Sequence, residues 1–373
     1  MLVAACGSSE GNSAPDGPSS DGGGEPVTIT IETGIVPSLV MFRDGAGTWE
    51  TPSATGTATF EAVVHGPYVV TTVCFSDEFS TQTRLYQVSR TPDDDRVVRT
   101  VCDEPPAPRY HVTGTMKQAG SVNLGIFGSD TGNAADWPFD ITVGAGSYRP
   151  VGKTDTRVTV RPTLAVAGDT VLTPPIDLAQ EGGDLVTVAL SVPNAGGETL
   201  YHGVSLDRTS ITSDSGIAAV KVVPDSVLAP ADQQLVGVFS YVGSNMVPQR
   251  TMQRPFRASD STVFMLPDPV GDIQCSTTPR VSVTWSSVPA FDILELGATT
   301  PDTSPRWHHY HTTSASYLTA TGATSIAIET DLPGFDPAWG FDATQRFSCR
   351  LTASRAQPNG ESDSARRQIE MNP

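Results

Sequence analysis

The sequence predicts an all-β protein: tandem antiparallel β-sandwich domains after a disordered N-terminal tether. Three observations carry this expectation. Apolar residues alternate with polar ones at period two, or form short runs bounded by turn residues, with no long 3.6-residue periodicity. Turn-formers are abundant, with 34 Gly and 30 Pro among 373 residues. Strand-like segments recur at sandwich spacing, roughly every ten residues. The same composition excludes other classes. Coiled coils and collagen need a heptad or a strict Gly period, and neither is present. A net charge of −18 lacks the basic stripe that a phosphate backbone requires, so no nucleic-acid partner is expected. No run of 18 apolar residues occurs, as a membrane-spanning helix would need.

The elements follow in chain order. Leu2-Val3-Ala4-Ala5-Cys6-Gly7-Ser8-Ser9 resembles the lipobox of bacterial lipoprotein signal peptides, in which a small apolar triplet precedes a lipidated cysteine. The resemblance implies a palmitate-bearing anchor at Cys6, hence membrane attachment there. Gly7 is similar to the residue that follows the cysteine in enteric lipoproteins sorted to the outer membrane. The implied location is therefore that membrane, on its periplasmic or cell-surface side. Only five residues precede Cys6 and none is Lys or Arg, whereas a complete signal peptide has a basic region and an apolar stretch. Residues 1–6 are accordingly read as a truncated signal segment. Residues 7–26, rich in Gly, Ser and Pro, cannot bury a core and are read as a flexible tether.

The first sandwich is expected over residues 27–104. Val27-Thr28-Ile29-Thr30-Ile31-Glu32 alternates cleanly, Asp44-Gly45 is a hairpin signal, and further strands fit 57–64, 68–74, 84–88 and 97–101. The run Asp103-Glu104-Pro105-Pro106-Ala107-Pro108 reads as a polyproline-like joint. A second sandwich is expected over 109–182, a third over 184–267 and a fourth over 270–373. The first two share a pattern: Phe60, Val63, Gly66 and Tyr68 in one, Phe139, Val143, Gly146 and Tyr148 in the other. This aromatic-turn-Gly-x-Tyr hairpin resembles the transthyretin-like and carboxypeptidase-regulatory-like sandwiches of exported bacterial proteins. In the fourth unit, Val281-x-Val283-x-Trp285 followed by Tyr317 resembles the early strands of fibronectin type III or immunoglobulin-like modules.

Five cysteines leave one over once pairs are drawn. No two have the C-x-x-C spacing of a zinc or redox site. Cys6 is assigned to the lipid anchor. The wide gap between the remaining groups favours Cys74–Cys102 and Cys275–Cys349 over the other pairings, with reduced buried thiols as the alternative.

Catalytic signatures fail one at a time: there is no Gly-x-Ser-x-Gly elbow, His-Glu-x-x-His, P-loop or dinucleotide fingerprint. No enzyme activity and no cofactor are therefore expected. The strongest chemical feature is Trp307-His308-His309-Tyr310-His311. On a strand, His309 and His311 share a face with Trp307 and could share a transition metal, given a third ligand. The alternative is a surface strand with solvated imidazoles. Asp93-Asp94-Asp95, and Asp130, Asn133 and Asp136, lack the spacing of a calcium loop and read as solvated turns. Asp292 and Glu295 are three apart on a strand, so they face opposite sides and form no catalytic dyad. The segment 333–341 carries Phe335, Trp339 and Phe341; it is either a cover over the core or an aromatic recognition tip. The expected function is a non-catalytic envelope lipoprotein that binds, adheres or scaffolds, with an unidentified protein or polysaccharide ligand. Alternatives are a carbohydrate-binding or glycan-processing protein using an aromatic cleft, and a metal-binding protein centred on His309 and His311.

Overall fold

The computed structural model describes residues 25–371 except 77–81, 101, 103–107, 126, 132–135, 208, 217–218, 242–248, 301–305, 341–345 and 358–359. Cys6, almost all of the tether, the proline run after Cys102 and Phe341 lie outside the described residues. The described chain is all-β, built from mostly antiparallel sheets stacked as sandwiches. Its two short helices serve as caps. Ala315–Thr321 starts at Ser314, whose side chain accepts from the Tyr317 amide, and stops at Gly322, whose φ of 65° is left-handed.

One eleven-stranded sheet organises the molecule. In spatial order its strands are Leu39–Asp44, Tyr68–Ser76, Gln82–Arg90, Arg306–Ser314, Ile293–Thr299, Phe347–Ala356, Ser362–Met371, Arg250–Pro255, Gln234–Tyr241, Thr199–Leu206 and Thr209–Ser215. Every neighbouring pair is antiparallel except Gln82–Arg90 with Arg306–Ser314, which run parallel. The order in space is thus the early strands, then the last strands, then the middle ones. Residues 109–184 build separate sheets. They meet the edge strand Thr209–Ser215 through the Ser210 amide, which donates to Gly125 O, and Asn123 Nδ2, which donates to Ser210 O.

Directly paired residues point to the same side of a sheet, so the register assigns each side chain to a face. Four hydrophobic clusters result. Val27–Glu32 puts Ile29 and Ile31 against Val70 and Val88 on one face of the large sheet. Val73 and Leu85 point to the opposite face, into a cluster with Leu296, Leu351 and Val283. The strands Tyr68–Ser76 and Gln82–Arg90 thus contribute buried residues to both faces. A third cluster gathers Val204, Val236 and Val238 with Phe256 and Phe264. The fourth holds Val112, Leu124, Phe139 and Ile141. Each fully buried aliphatic side chain contributes about 1.5–3 kcal/mol.

Both expected disulfides are present, and each joins two layers. Cys74 on the large sheet binds Cys102, just beyond the short strand Val97–Arg99 of a four-stranded sheet. Cys349 on the large sheet binds Cys275 in Ile273–Ser276 of a three-stranded sheet. By register these staples lie on opposite faces. Persistent disulfides are a property of oxidising, exported compartments.

The shared Gly-x-Tyr pattern behaves differently from the expected hairpin. Thr59–Val64 pairs with Val27–Glu32, whereas Tyr68–Ser76, which begins with the tyrosine, enters the large sheet. Trp137–Gly144 pairs with Arg109–Met116, whereas Gly146–Tyr148 pairs with Leu164–Val166. Both copies are corners where the chain changes sheet. Gly146, at φ 158°, supplies a backbone conformation that side chains avoid.

Candidate functional site

The strand Arg306–Ser314 lies inside the large sheet, and its two faces have different fates. Trp307, His309, His311 and Thr313 are buried beneath residues 325–340, while His308, Tyr310 and Thr312 are half-exposed on the other side. His309 donates from Nε2 to Trp339 O at 2.9 Å. His311 donates from Nδ1 to Ala327 O at 2.6 Å, and its Nε2 accepts from Ser89 Oγ at 2.7 Å. Burial depresses both imidazoles, His309 to about 3 and His311 to about 4, against the opposing pull of these carbonyls. Both are neutral at pH 7. They are interior packing groups, not solvated imidazoles.

Among the described residues no group of three or more His, Cys, Asp or Glu gathers as a metal site. The Ser89–His311 pair has the geometry of a nucleophile and base. It is shielded from solvent, and a backbone carbonyl stands where a carboxylate would orient the ring.

The aromatic segment 333–340 lies over the same layer. Phe335 and Trp339 pack edge to face, with centroids 5.6 Å apart, against the cluster containing Leu296. Trp307 Nε1 donates to Ala338 O at 3.4 Å. Gln87 holds the start of this cover: its Nε2 donates to Glu329 O and its Oε1 accepts from the Glu329 amide. The Glu329 carboxylate makes a two-point ion pair with Arg43. Of the other tryptophans, Trp285 packs on the same cluster, Trp49 lies under Arg43, and Trp137 is exposed.

Of the acidic turn 93–95, two side chains are used internally, and Asn133 of the other expected turn lies outside the described residues. Asp94 accepts from Thr91, Ser314 and Ser316, and Asp95 accepts from the Val97 amide. Asp292 accepts from the Ala356 amide, and Glu295 pairs with Arg350.

Across its middle strands the opposite face of the large sheet is half-exposed, a surface that sequence reading missed. Register places its side chains in rows across the strands. One row runs Tyr86, Tyr310, Gly297, Arg350, Gln368. The next, two residues along each strand, holds Thr312, Glu295, Thr352 and Arg366. A third holds Ile293, Ser354, Ser364 and Thr251, which line a cavity of about 270 Å³ with Asp363 and Arg355 at its rim. All the named side chains of the first two rows are half-exposed.

Gly297 shapes this surface. A Cβ there would come within 3.1–3.3 Å of the Arg350 guanidinium, which lies flat across the glycine. Arg350 pairs with Glu295 at 2.8 Å and stands 5.9 Å from the Tyr310 ring centroid. Tyr310 stacks on Tyr86 at 5.6 Å and 17°. The buried Nε atoms of Arg350 and Arg366 meet no hydrogen-bond partner among the described residues, and neither does Thr352 Oγ1. Burial, then the charge of Arg350, lower the Arg366 pKa, and Glu295 only partly offsets them. The polar alternation Ser348, Arg350, Thr352 was visible in the sequence. That no described sandwich layer covers it was not.

Fold and surface together define a disulfide-stapled, all-β protein of an oxidising compartment. No protein-family model matches the chain, and no curated protein matches it either. Among the described residues no helix is long and apolar enough to cross a membrane.

Proposed function

We propose that the chain is a non-catalytic binding and scaffold protein of the cell envelope, held at the outer membrane by a lipid on Cys6. The observation that carries the binding role is the open face centred on Tyr310, Arg350 and Arg366. There guanidinium, hydroxyl and aromatic side chains are half-exposed on a backbone fixed by strands on both sides. The anchor reading rests on the lipobox-like Val3-Ala4-Ala5-Cys6 and on two disulfides that call for export. The sandwich layers are similar in kind to the modules such exported proteins carry.

Fractionation of cells that express the chain behind a full signal peptide tests this. The wild type is expected in the outer-membrane fraction with a mass increase for acylation. Cys6→Ser, or globomycin treatment, is expected to abolish the lipid and release the mature chain. Unchanged fractionation and mass in both cases would overturn the anchor.

A further inference from the structure

We propose that the seam between Arg250–Pro255 and Ser362–Met371 is a hinge, about which residues 109–267 turn as one body against residues 27–102 and 270–371. The large sheet has two seams where strands far apart in sequence meet, and they are built differently. Gln82–Arg90 joins Arg306–Ser314 through eight residue pairs. A shared core seals that join, because Val73 and Leu85 pack in one cluster with Leu296 and Leu351. Side chains reinforce it: Ser89 meets His311, Gln87 grips Glu329, and Asp94 accepts from Ser314. Arg250–Pro255 joins Ser362–Met371 through only four residue pairs, from Arg250 with Ala365 to Gln253 with Ser362. Beside them the Arg366 amide donates to Gln249 O, and the hydroxyls of Thr251 and Ser364 meet at 2.8 Å.

Among the described residues no hydrophobic cluster crosses this second seam. The cluster of the middle strands draws only on residues 151–266, while those holding Ile29 and Leu296 draw on 27–98 and 270–371. Met252 and Ala365 lie diagonally across the ladder, yet Met252 packs with the first group and Ala365 with the second. On the open face the seam carries the small polar side chains of Thr251, Ser362 and Ser364, which border the cavity of about 270 Å³. A ladder with so few buried apolar contacts opens at lower cost than the fold as a whole. Parts of one chain move relative to each other unless their interface is large and hydrophobic. The chain crosses between the two bodies at 103–108 and at 267–269, and both crossings are proline-rich in sequence. Proline has no N–H, so these crossings supply few donors to carry a ladder from one body to the other. Opening the seam divides no core and leaves each body folded.

Native-state hydrogen exchange on the full chain carrying Cys6→Ser tests this, with single amides resolved by mass spectrometry at low denaturant concentrations. Amides that bond across the Arg250–Pro255 seam are expected to exchange about a hundredfold faster, or more, than those between Gln82–Arg90 and Arg306–Ser314. Their denaturant slope should be small, because the slope follows the surface exposed on opening. Thr251→Val combined with Ser364→Val adds an apolar cross-strand pair and should slow the seam amides about twofold to fivefold. The other ladder should not respond. Thr28→Val, at an exposed position of Val27–Glu32, should alter neither seam. Two results would overturn the inference. One is seam amides with the same protection and slope as the other ladder, which means that the seam opens only with global unfolding. The other is a valine pair that melts normally and leaves seam exchange unchanged. Neither bears on the fractionation result, so the anchor stands or falls separately.

Discussion

His311 Nε2 lies 2.7 Å from Ser89 Oγ, two residues 222 positions apart in sequence. The bond spans the one parallel pairing of the large sheet, where Gln82–Arg90 meets Arg306–Ser314. With Nδ1 donating to Ala327 O, a neutral ring leaves Nε2 to accept from the serine hydroxyl. A protonated ring would reverse that bond, with the serine oxygen accepting, and would bury a charge.

Stability should therefore fall in mild acid. Burial lowers the folded pKa of His311 to about 4 and of His309 to about 3, whereas the unfolded chain titrates near 6.5. As pH drops below 6.5 the unfolded state takes up protons that the folded state refuses. The stabilisation is complete above that value and is lost as pH falls toward 4 and then 3. Each histidine contributes a slope of about 1.4 kcal/mol per pH unit in that window. Denaturant melts at pH 7.5, 6 and 5 should show the decline, and His311→Met should flatten it while lowering stability at pH 7.5. A wild-type profile flat from 7.5 to 5 would refute the buried neutral assignment.

Asp94 ties an early turn to a late helix. Its carboxylate accepts from the Thr91 amide and from the hydroxyls of Ser314 and Ser316, the former being the N-cap of Ala315–Thr321. Burial raises its pKa, but the bonds from Thr91, Ser316 and Ser314 outweigh burial and bring it below the usual value. Asp94→Ala should destabilise the protein by about 2–3 kcal/mol. Ser316→Ala, which removes one donor of several, should cost about 1 kcal/mol. Equal melting temperatures for wild type and Asp94→Ala would show that the bonds are replaced by water.

The sequence made some of this legible and not the rest, for physical reasons. Ile29 and Ile31 announce a strand with one buried face, and the structure has Val27–Glu32 with those residues inside. Alternation is a local property, so it survives any arrangement of strands. Pairing is not local. Nothing in 306–314 or 82–90 signals that they pair in parallel, and that contact unites distant segments into one sheet. The same limit explains the histidines. Period two correctly placed His309 and His311 with Trp307, but burial depends on residues 325–340, which arrive from elsewhere in the chain. It also explains the open face: only register brings Arg350 and Arg366 into adjoining rows near Glu295.

The two disulfides should not be equivalent. In the chain-entropy account, closing loops of 28 and 74 residues contributes about 3.5 and 4.5 kcal/mol respectively. Cys275–Cys349 also fixes the three-stranded sheet onto the large one across the layer that holds Leu296 and Leu351. Replacing that pair by alanine should lower the melting temperature more than replacing Cys74 and Cys102. Thiol titration of the unfolded native protein without reductant should find neither pair free. Four reactive thiols beyond Cys6 would contradict the bridges.

Arg250 is the most heavily used charge in the middle strands. Only 5% exposed, it pairs with Glu198 at 2.7 Å and donates to the carbonyls of Asn194 and Pro267. It thereby pins the segment before Thr199–Leu206 and the turn after Leu266 to Arg250–Pro255. Arg250→Ala would leave a half-buried carboxylate and several carbonyls without their donor, and should destabilise the fold by about 2–4 kcal/mol. Arg250→Lys keeps the charge but not the fork, so one ammonium cannot reach Glu198 and both carbonyls at once. It should recover less than half of the loss. Arg250→Met combined with Glu198→Leu removes both charges together and should be less damaging than Arg250→Ala. It cannot restore the wild-type melt, because the Asn194 and Pro267 carbonyls still lack their donor. Full recovery in the double variant would show that the ion pair alone, and not the backbone bonds, secures these loops.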